Sequence, residues 1–138
     1  MPLVVTQTIH RTRGRLNQLG IAVTTNASGD AAVTTVGAVF GRLVGVEYKP
    51  GTLDTGADWT ITDTDTGATI FSLTNAGTTA RSFRPTALVT NNVGGTITND
   101  NTAPNLNRDI YLAGKVSAVV AQGGNVLTGT LYLILQEE

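Results

Sequence analysis

Asp63-Thr64-Asp65-Thr66-Gly67 is the stretch whose residue types come nearest to chemistry. Carboxylates at i and i+2 can offer oxygen ligands to a hard cation such as calcium. A calcium loop of the EF-hand kind needs glycine at its sixth position and glutamate at its twelfth. Here glycine falls fifth, and the twelfth residue is Thr74. In an extended segment the two carboxylates would stand roughly 6–7 Å apart by strand rise, a spacing within reach of glycoside hydrolysis. Trp59 is the only Trp, however, and nothing else in the chain outlines a sugar cleft. Asp also closes tight turns by bonding its own backbone. A polar hairpin turn is therefore the expected role.

The remaining candidates are sparse. There is no Cys, which removes disulfides, thiolate zinc sites and cysteine nucleophiles. His10 is the single His, and any Ser-His-Asp triad would have to use it from a polar N-terminal stretch. Gly94-Gly95 and Gly123-Gly124 lack the Lys-Ser/Thr of a phosphate loop and the spacing of a dinucleotide fingerprint, so they read as turns. Asn26-Ala27-Ser28 has the form of a glycosylation sequon but sits in a turn cluster. Arg11, Arg13 and Arg15 alternate along one short stretch. They lack the interleaved aromatics of a nucleic-acid platform, and suit an arm that meets acidic groups on a neighbouring protein subunit. We expect no catalytic residue, cofactor or metal, and partner contact through Arg11, Arg13 and Arg15.

The elements that would position these residues follow from composition and alternation. The chain has 138 residues, one domain's worth, with 41% hydrophobic and only 14% charged residues. It carries 24 Thr and 16 Gly, the first favouring a pleated surface and the second supplying turns. Net charge is −1, too small to hold a polyanion. Its distribution is uneven: between Pro50 and Ala80 the charged residues are Asp54, Asp58, Asp63 and Asp65 alone. No apolar run reaches the length of a membrane span. The N-terminus lacks the basic and apolar regions of a signal peptide, so the mature chain is expected to start at or near Met1.

Period-two patterns mark strands at Leu3–Ile9, Leu16–Thr25, Ala31–Val36, Ala38–Lys49, Asp58–Asp63, Ala68–Leu73, Arg81–Val89, Ile110–Ala121 and Val126–Gln136. Arg11 to Arg15 reads as loop or arm. In Ala38–Lys49, Phe40, Arg42, Val44, Val46 and Tyr48 share one face, while Gly41 and Gly45 on the other mark a bulge or a close backbone approach. Asp58–Leu73 reads as a hairpin turning at Gly67, and Pro85 places part of Arg81–Val89 at an edge or bulge. Asn91 to Asn107 reads as a long loop with a possible short strand at Gly95 to Thr98. The last two strands read as a C-terminal hairpin. The expected fold is all-β, an antiparallel β-sandwich or jelly roll of eight to ten short strands. The expected organisation is an N-terminal strand and arm over residues 1–15 and a single sandwich domain over 16–138.

Two stretches carry a likeness to a known group. One is Val44-Gly45-Val46-Glu47-Tyr48-Lys49-Pro50-Gly51 followed by Trp59-Thr60-Ile61-Thr62-Asp63-Thr64-Asp65-Thr66-Gly67. The other is Asp109-Ile110-Tyr111-Leu112-Ala113-Gly114-Lys115-Val116-Ser117-Ala118-Val119-Val120 with Gly129-Thr130-Leu131-Tyr132-Leu133-Ile134-Leu135. Together they resemble small all-β virion proteins of tailed bacteriophages, among them capsid decoration, or cement, proteins. The resemblance covers roughly residues 38–136. It implies a non-enzymatic protein on the phage head surface that binds and stabilises the major capsid protein shell, as a dimer or trimer, with no nucleic acid or membrane partner. Leu3 to Arg15 would be its docking arm. The alternatives are a phage tail or head-fibre component, or a host-surface or carbohydrate-binding sandwich module. The last needs exposed aromatics, and the sequence leaves few Trp, Tyr or Phe outside strand positions.

Overall fold

The computed structural model describes residues 9–12, 16–35, 37–88, 93–94 and 107–136. Its elements are β1 (Ile9–Thr12), β2 (Leu16–Thr24), β3 (Ala31–Thr34), β4 (Val39–Lys49), β5 (Asp58–Asp63), β6 (Thr69–Leu73), β7 (Arg81–Phe83), β8 (Thr86–Leu88), β9 (Asn107–Gly114), β10 (Val116–Ala121) and β11 (Thr128–Gln136). They form two antiparallel sheets packed face to face, a β-sandwich. The larger sheet runs β1-β2-β11-β4-β9-β8, with β7 also paired to β4; the smaller runs β3-β10-β5-β6.

Alternation fills the space between the sheets. Leu19, Ile21 and Val23 of β2 and Leu131, Leu133 and Leu135 of β11 face inward from the larger sheet. Trp59 and Ile61 of β5 and Val116, Ala118 and Val120 of β10 meet them from the smaller one. Tyr48 and Trp59 join the layers edge to face, with ring centroids 5.9 Å apart and planes at 72°.

In β4, Val39 and Leu43 point inward, but so do Val46 and Tyr48. The register against β11 slips between Ile134 and Leu135, where Gly45 and Leu43 are the successive partners. This bulge moves the inward set from odd to even residues. Phe40 and Arg42 therefore do not share a face with Val46 and Tyr48, as strict alternation predicts. Beside the bulge, a side chain on Gly45 would start 3.5 Å from the Phe83 carbonyl oxygen, a close approach of the β7 backbone. The far edge of β4 is shared: Val39–Leu43 pair with β9 and Val46–Tyr48 with β7.

Ile110–Ala121 is two strands rather than one. The chain leaves the larger sheet after Gly114, passes Lys115 and enters the smaller sheet at Val116. Inward residues stay even-numbered throughout, so the pattern carries no trace of the crossing. For the same reason β10 and β11 do not form a hairpin: β10 pairs with β3 and β5, and β11 with β2 and β4. The expected hairpin is replaced by a connection between sheets, which lets each strand occupy an interior position in its own sheet. Residues 9–12 are an edge strand on β2, so Arg11 and Thr12 lie in a strand rather than a loop.

Two buried threonines tie the strand ends to neighbouring segments. Thr25 Oγ1 donates to the Gly124 carbonyl at 2.6 Å and accepts the Leu127 N–H at 2.9 Å. Thr35 Oγ1 donates to the Gly37 carbonyl at 2.9 Å and accepts the Val116 N–H at 3.1 Å. Gly51, at φ 56°, sits so close to β11 that a Cβ would lie 2.5 Å from the Thr128 carbonyl oxygen. Gly67 has φ 74° but open space around it.

These two glycines give a paired test. Gly67→Ala should cost about 1–2 kcal/mol, the strain of a left-handed residue alone. Gly51→Ala should cost about 2–4 kcal/mol, because overpacking against backbone adds to that strain. Urea unfolding of the two variants measures both.

Tyr48 is fully buried, and its hydroxyl is 3.5 Å from the Gly77 carbonyl. Burial raises its pKa above the ordinary value of 10.0, and the adjacent Trp59 indole, whose N–H finds no acceptor in hydrogen-bond geometry, offsets this only in part. The folded state therefore holds the phenol proton more tightly than the unfolded state. That contribution to stability is complete below pH 10.0 and is lost as pH rises through that value toward the folded one. Tyr48→Phe should flatten the alkaline fall in stability. Denaturant unfolding at increasing alkaline pH tests this, and an unchanged slope would exclude Tyr48 as its source.

Candidate functional site

The two sheets present different outer faces. On the smaller sheet, Thr34, Ser117 and Thr62 lie in register across β3, β10 and β5. The Thr34 and Ser117 hydroxyls are 3.1 Å apart, and the Ser117 and Thr64 hydroxyls 2.8 Å apart. This hydroxyl row is what a solvated sheet face looks like.

The larger sheet breaks that rule. Leu16, Gln136, Arg42 and Tyr111 form one lateral row across β2, β11, β4 and β9, at positions that alternate with the inward residues. Ala113 pairs with Phe40 in the next row, so Phe40 and Tyr111 are diagonal neighbours on adjacent strands. Phe40 is 62% exposed, Tyr111 63% and Leu16 41%. Half-buried Tyr132 and Ile134 continue the apolar surface along β11.

Arg42 is held within this surface. Its Nη1 donates to Asp109 Oδ2 at 2.7 Å, and its Nη2 donates to Gln136 Oε1. Both partners of the ion pair are about one-third exposed, so it contributes no more than about 1 kcal/mol to stability. Its effect is positional: a planar guanidinium is fixed between Gln136 and Asp109, in the strand row that Tyr111 shares. Lys49 Nζ lies 5.8 Å from the Tyr132 ring centroid on the same face, with Glu47 opposite Tyr132. The cations Arg42 and Lys49 are thus balanced by the anions Asp109 and Glu47.

Arg11 is in β1, paired across from Asn17. Arg13 and Arg15 lie outside the described residues, as do most of the Asn91–Asn107 loop and all of Leu3–Thr8. Asp63 builds a turn: its Oδ1 accepts the N–H of Asp65 at 2.9 Å and of Thr66 at 3.2 Å. The Asp63 backbone also closes the hairpin with Ala68 and Gly67. A carboxylate committed to these bonds is the hairpin turn read from the sequence. Among the described residues no three His, Asp or Glu gather as a possible metal site. A groove of about 510 Å³ beside β3 is lined by Thr24, Asn26, Asp30, Ala32 and Val119 with their neighbours. Its Asn26 side chain is occupied by the Ser28 and Asp30 N–H groups.

The expectation that few aromatics remain to be exposed is corrected by Phe40 and Tyr111. Alternation marks each of them singly, since Tyr111 falls between Ile110 and Leu112. Their adjacency depends on β4 pairing with β9, which no local pattern specifies.

The fold is an all-antiparallel β-sandwich whose smaller sheet carries an outer hydroxyl row beside exposed Val119, and whose larger sheet exposes Phe40 and Tyr111 beside the Arg42–Asp109 ion pair. Among known proteins, no family model, curated protein or solved structure matches the chain.

Proposed function

We propose that this chain is a structural protein of a tailed-phage virion, a capsid decoration protein that binds the major capsid protein shell from outside and stabilises it without catalysis. The observation that carries the reading is the outer face of the larger sheet. Tyr and Arg are enriched where protein interfaces concentrate their binding energy, and Tyr111, Phe40 and a positioned Arg42 stand together there. A rigid sandwich supplies such a face at little entropic cost on binding. Repeated attachment across a lattice lets each contact be modest. Arg11, Arg13 and Arg15 are the proposed second contact, reaching acidic groups of a shell subunit.

A carbohydrate- or host-surface-binding module is the second reading, and the same ring pair favours it. Two exposed aromatics beside planar polar groups can stack on a sugar ring.

Co-sedimentation with intact phage capsids decides between them. The full chain should pellet with shells, and an Arg11→Glu/Arg13→Glu/Arg15→Glu variant should show reduced occupancy. Unchanged occupancy removes the arginines from the proposal. No pelleting of the full chain, together with retention on a glycan array that is lost in Tyr111→Ala, would replace the decoration reading by the second one.

A further inference from the structure

We propose that β3 is a docking edge, which takes an extended basic segment of a partner protein as an added strand of the smaller sheet. This edge is separate from the outer face of the larger sheet, so it gives the chain a further contact that the decoration reading does not use.

The backbone supplies the first argument. β3 stands at one end of the order β3-β10-β5-β6, and among the described residues only β10 pairs with it. The Thr35 N–H donates to the Val116 carbonyl at 2.9 Å. Bonded positions alternate along an antiparallel pair. Ala31 and Val33 therefore also turn their backbone groups to β10, and those of Ala32 and Thr34 point away from it. Edge strands are usually blunted by proline, lysine or a bulge. Ala31–Thr34 contains no proline or lysine, and its register against β10 runs without a shift. The sheet's other edge, β6, is paired through a shift between Ile61 and Thr62.

Space and apolar contact come from the groove of about 510 Å³ beside β3. Ala31, Ala32 and Ala121 line it with methyl groups, and Val119, directly across from Ala32, is 46% exposed. An apolar side chain on an added strand can lie over Ala32 and reach Val119.

Charge selects the occupant. Asp30 is the one charged residue among those described that line the groove. Its N–H is held by Asn26 Oδ1 at 3.0 Å, and its carboxylate forms no ion pair among the described residues. The four strands of the smaller sheet carry Asp58 and Asp63 and no Lys or Arg. Electrostatic complementarity favours a cationic segment over an acidic one. A basic residue two positions from an apolar one shares its face on a strand, and so meets Asp30 and Ala32 together. Main-chain bonds then give affinity and the two side chains specificity.

Nitrogen–proton NMR of the full chain, titrated with capped pentapeptides of sequence KTVTV and ETVTV, tests this. KTVTV should shift the Ala32 and Thr34 amides saturably, and ETVTV should not. Asp30→Asn should weaken KTVTV binding about fivefold, the scale of one exposed ion pair. Ala32→Pro should abolish binding with the fold retained, since an edge strand tolerates proline where the missing N–H faces away from the sheet. No saturable shift at Ala32 and Thr34 overturns the proposal, as does equal binding of both peptides or unchanged binding by Asp30→Asn. Amides of β3 that move on dilution of the chain alone, and not with peptide, would assign the edge to a second copy and also overturn it. Any of these failures leaves capsid co-sedimentation unaffected, and a chain that binds KTVTV but never pellets with capsids upholds this proposal and ends the decoration reading.

Discussion

Leu131, Leu133 and Leu135 project from β11, which is hydrogen-bonded on both sides, into the layer between the sheets. The rest of the molecule depends on that burial. Each such side chain contributes about 1.5–3 kcal/mol, and β11 also fixes the register of β2 and β4 beside it. A slip of one residue would turn all three leucines to solvent. The bulge in β4 opposite Ile134 and Leu135 is the adjustment that keeps Leu43, Val46 and Tyr48 inward along a strand of 11 residues.

The same constraint creates the outer face. Fixing Leu131, Leu133 and Leu135 inward forces Tyr132 and Ile134 outward. The bulge leaves Phe40 and Arg42 on the outer side of β4, although Tyr48 on the same strand is in the core. Pairing of β4 with β9 then brings Tyr111 beside them. The surface proposed to bind protein is thus a by-product of core register, carried on paired strands. Thr25 and Thr35, each bonding two backbone groups, hold the ends of β2 and β3 against neighbouring segments and keep the sheets from splaying.

Much of this was legible residue by residue. Asp58–Asp63 as a strand, the Asp63–Gly67 turn and the inward odd positions of β11 all follow from local alternation and turn chemistry. Gly45 marked the bulge, since a strand interior tolerates glycine mainly where the backbone bends or another backbone comes close. The crossing at Gly114–Lys115 was not legible. Ile110, Leu112, Val116, Ala118 and Val120 keep one parity whether the chain stays in one sheet or changes sheets. Charge drew notice to Arg11, Arg13 and Arg15, while Arg42 read as an ordinary strand residue because nothing local marks its pairing with Asp109 and Gln136.

The amino-acid sequence by itself determined that the chain is all-β, where several of its strands and turns fall, and which side of most strands is apolar. Those properties depend on propensities and spacings within a few residues. Only the tertiary structure decided which strands pair, that β10 and β11 serve different sheets, and that Phe40, Arg42, Asp109, Tyr111 and Gln136 share one surface. Strand pairing joins residues far apart in the chain through backbone hydrogen bonds that are nearly the same for every side chain. What selects among pairings is the shared burial of two whole faces, and no single segment contains that information.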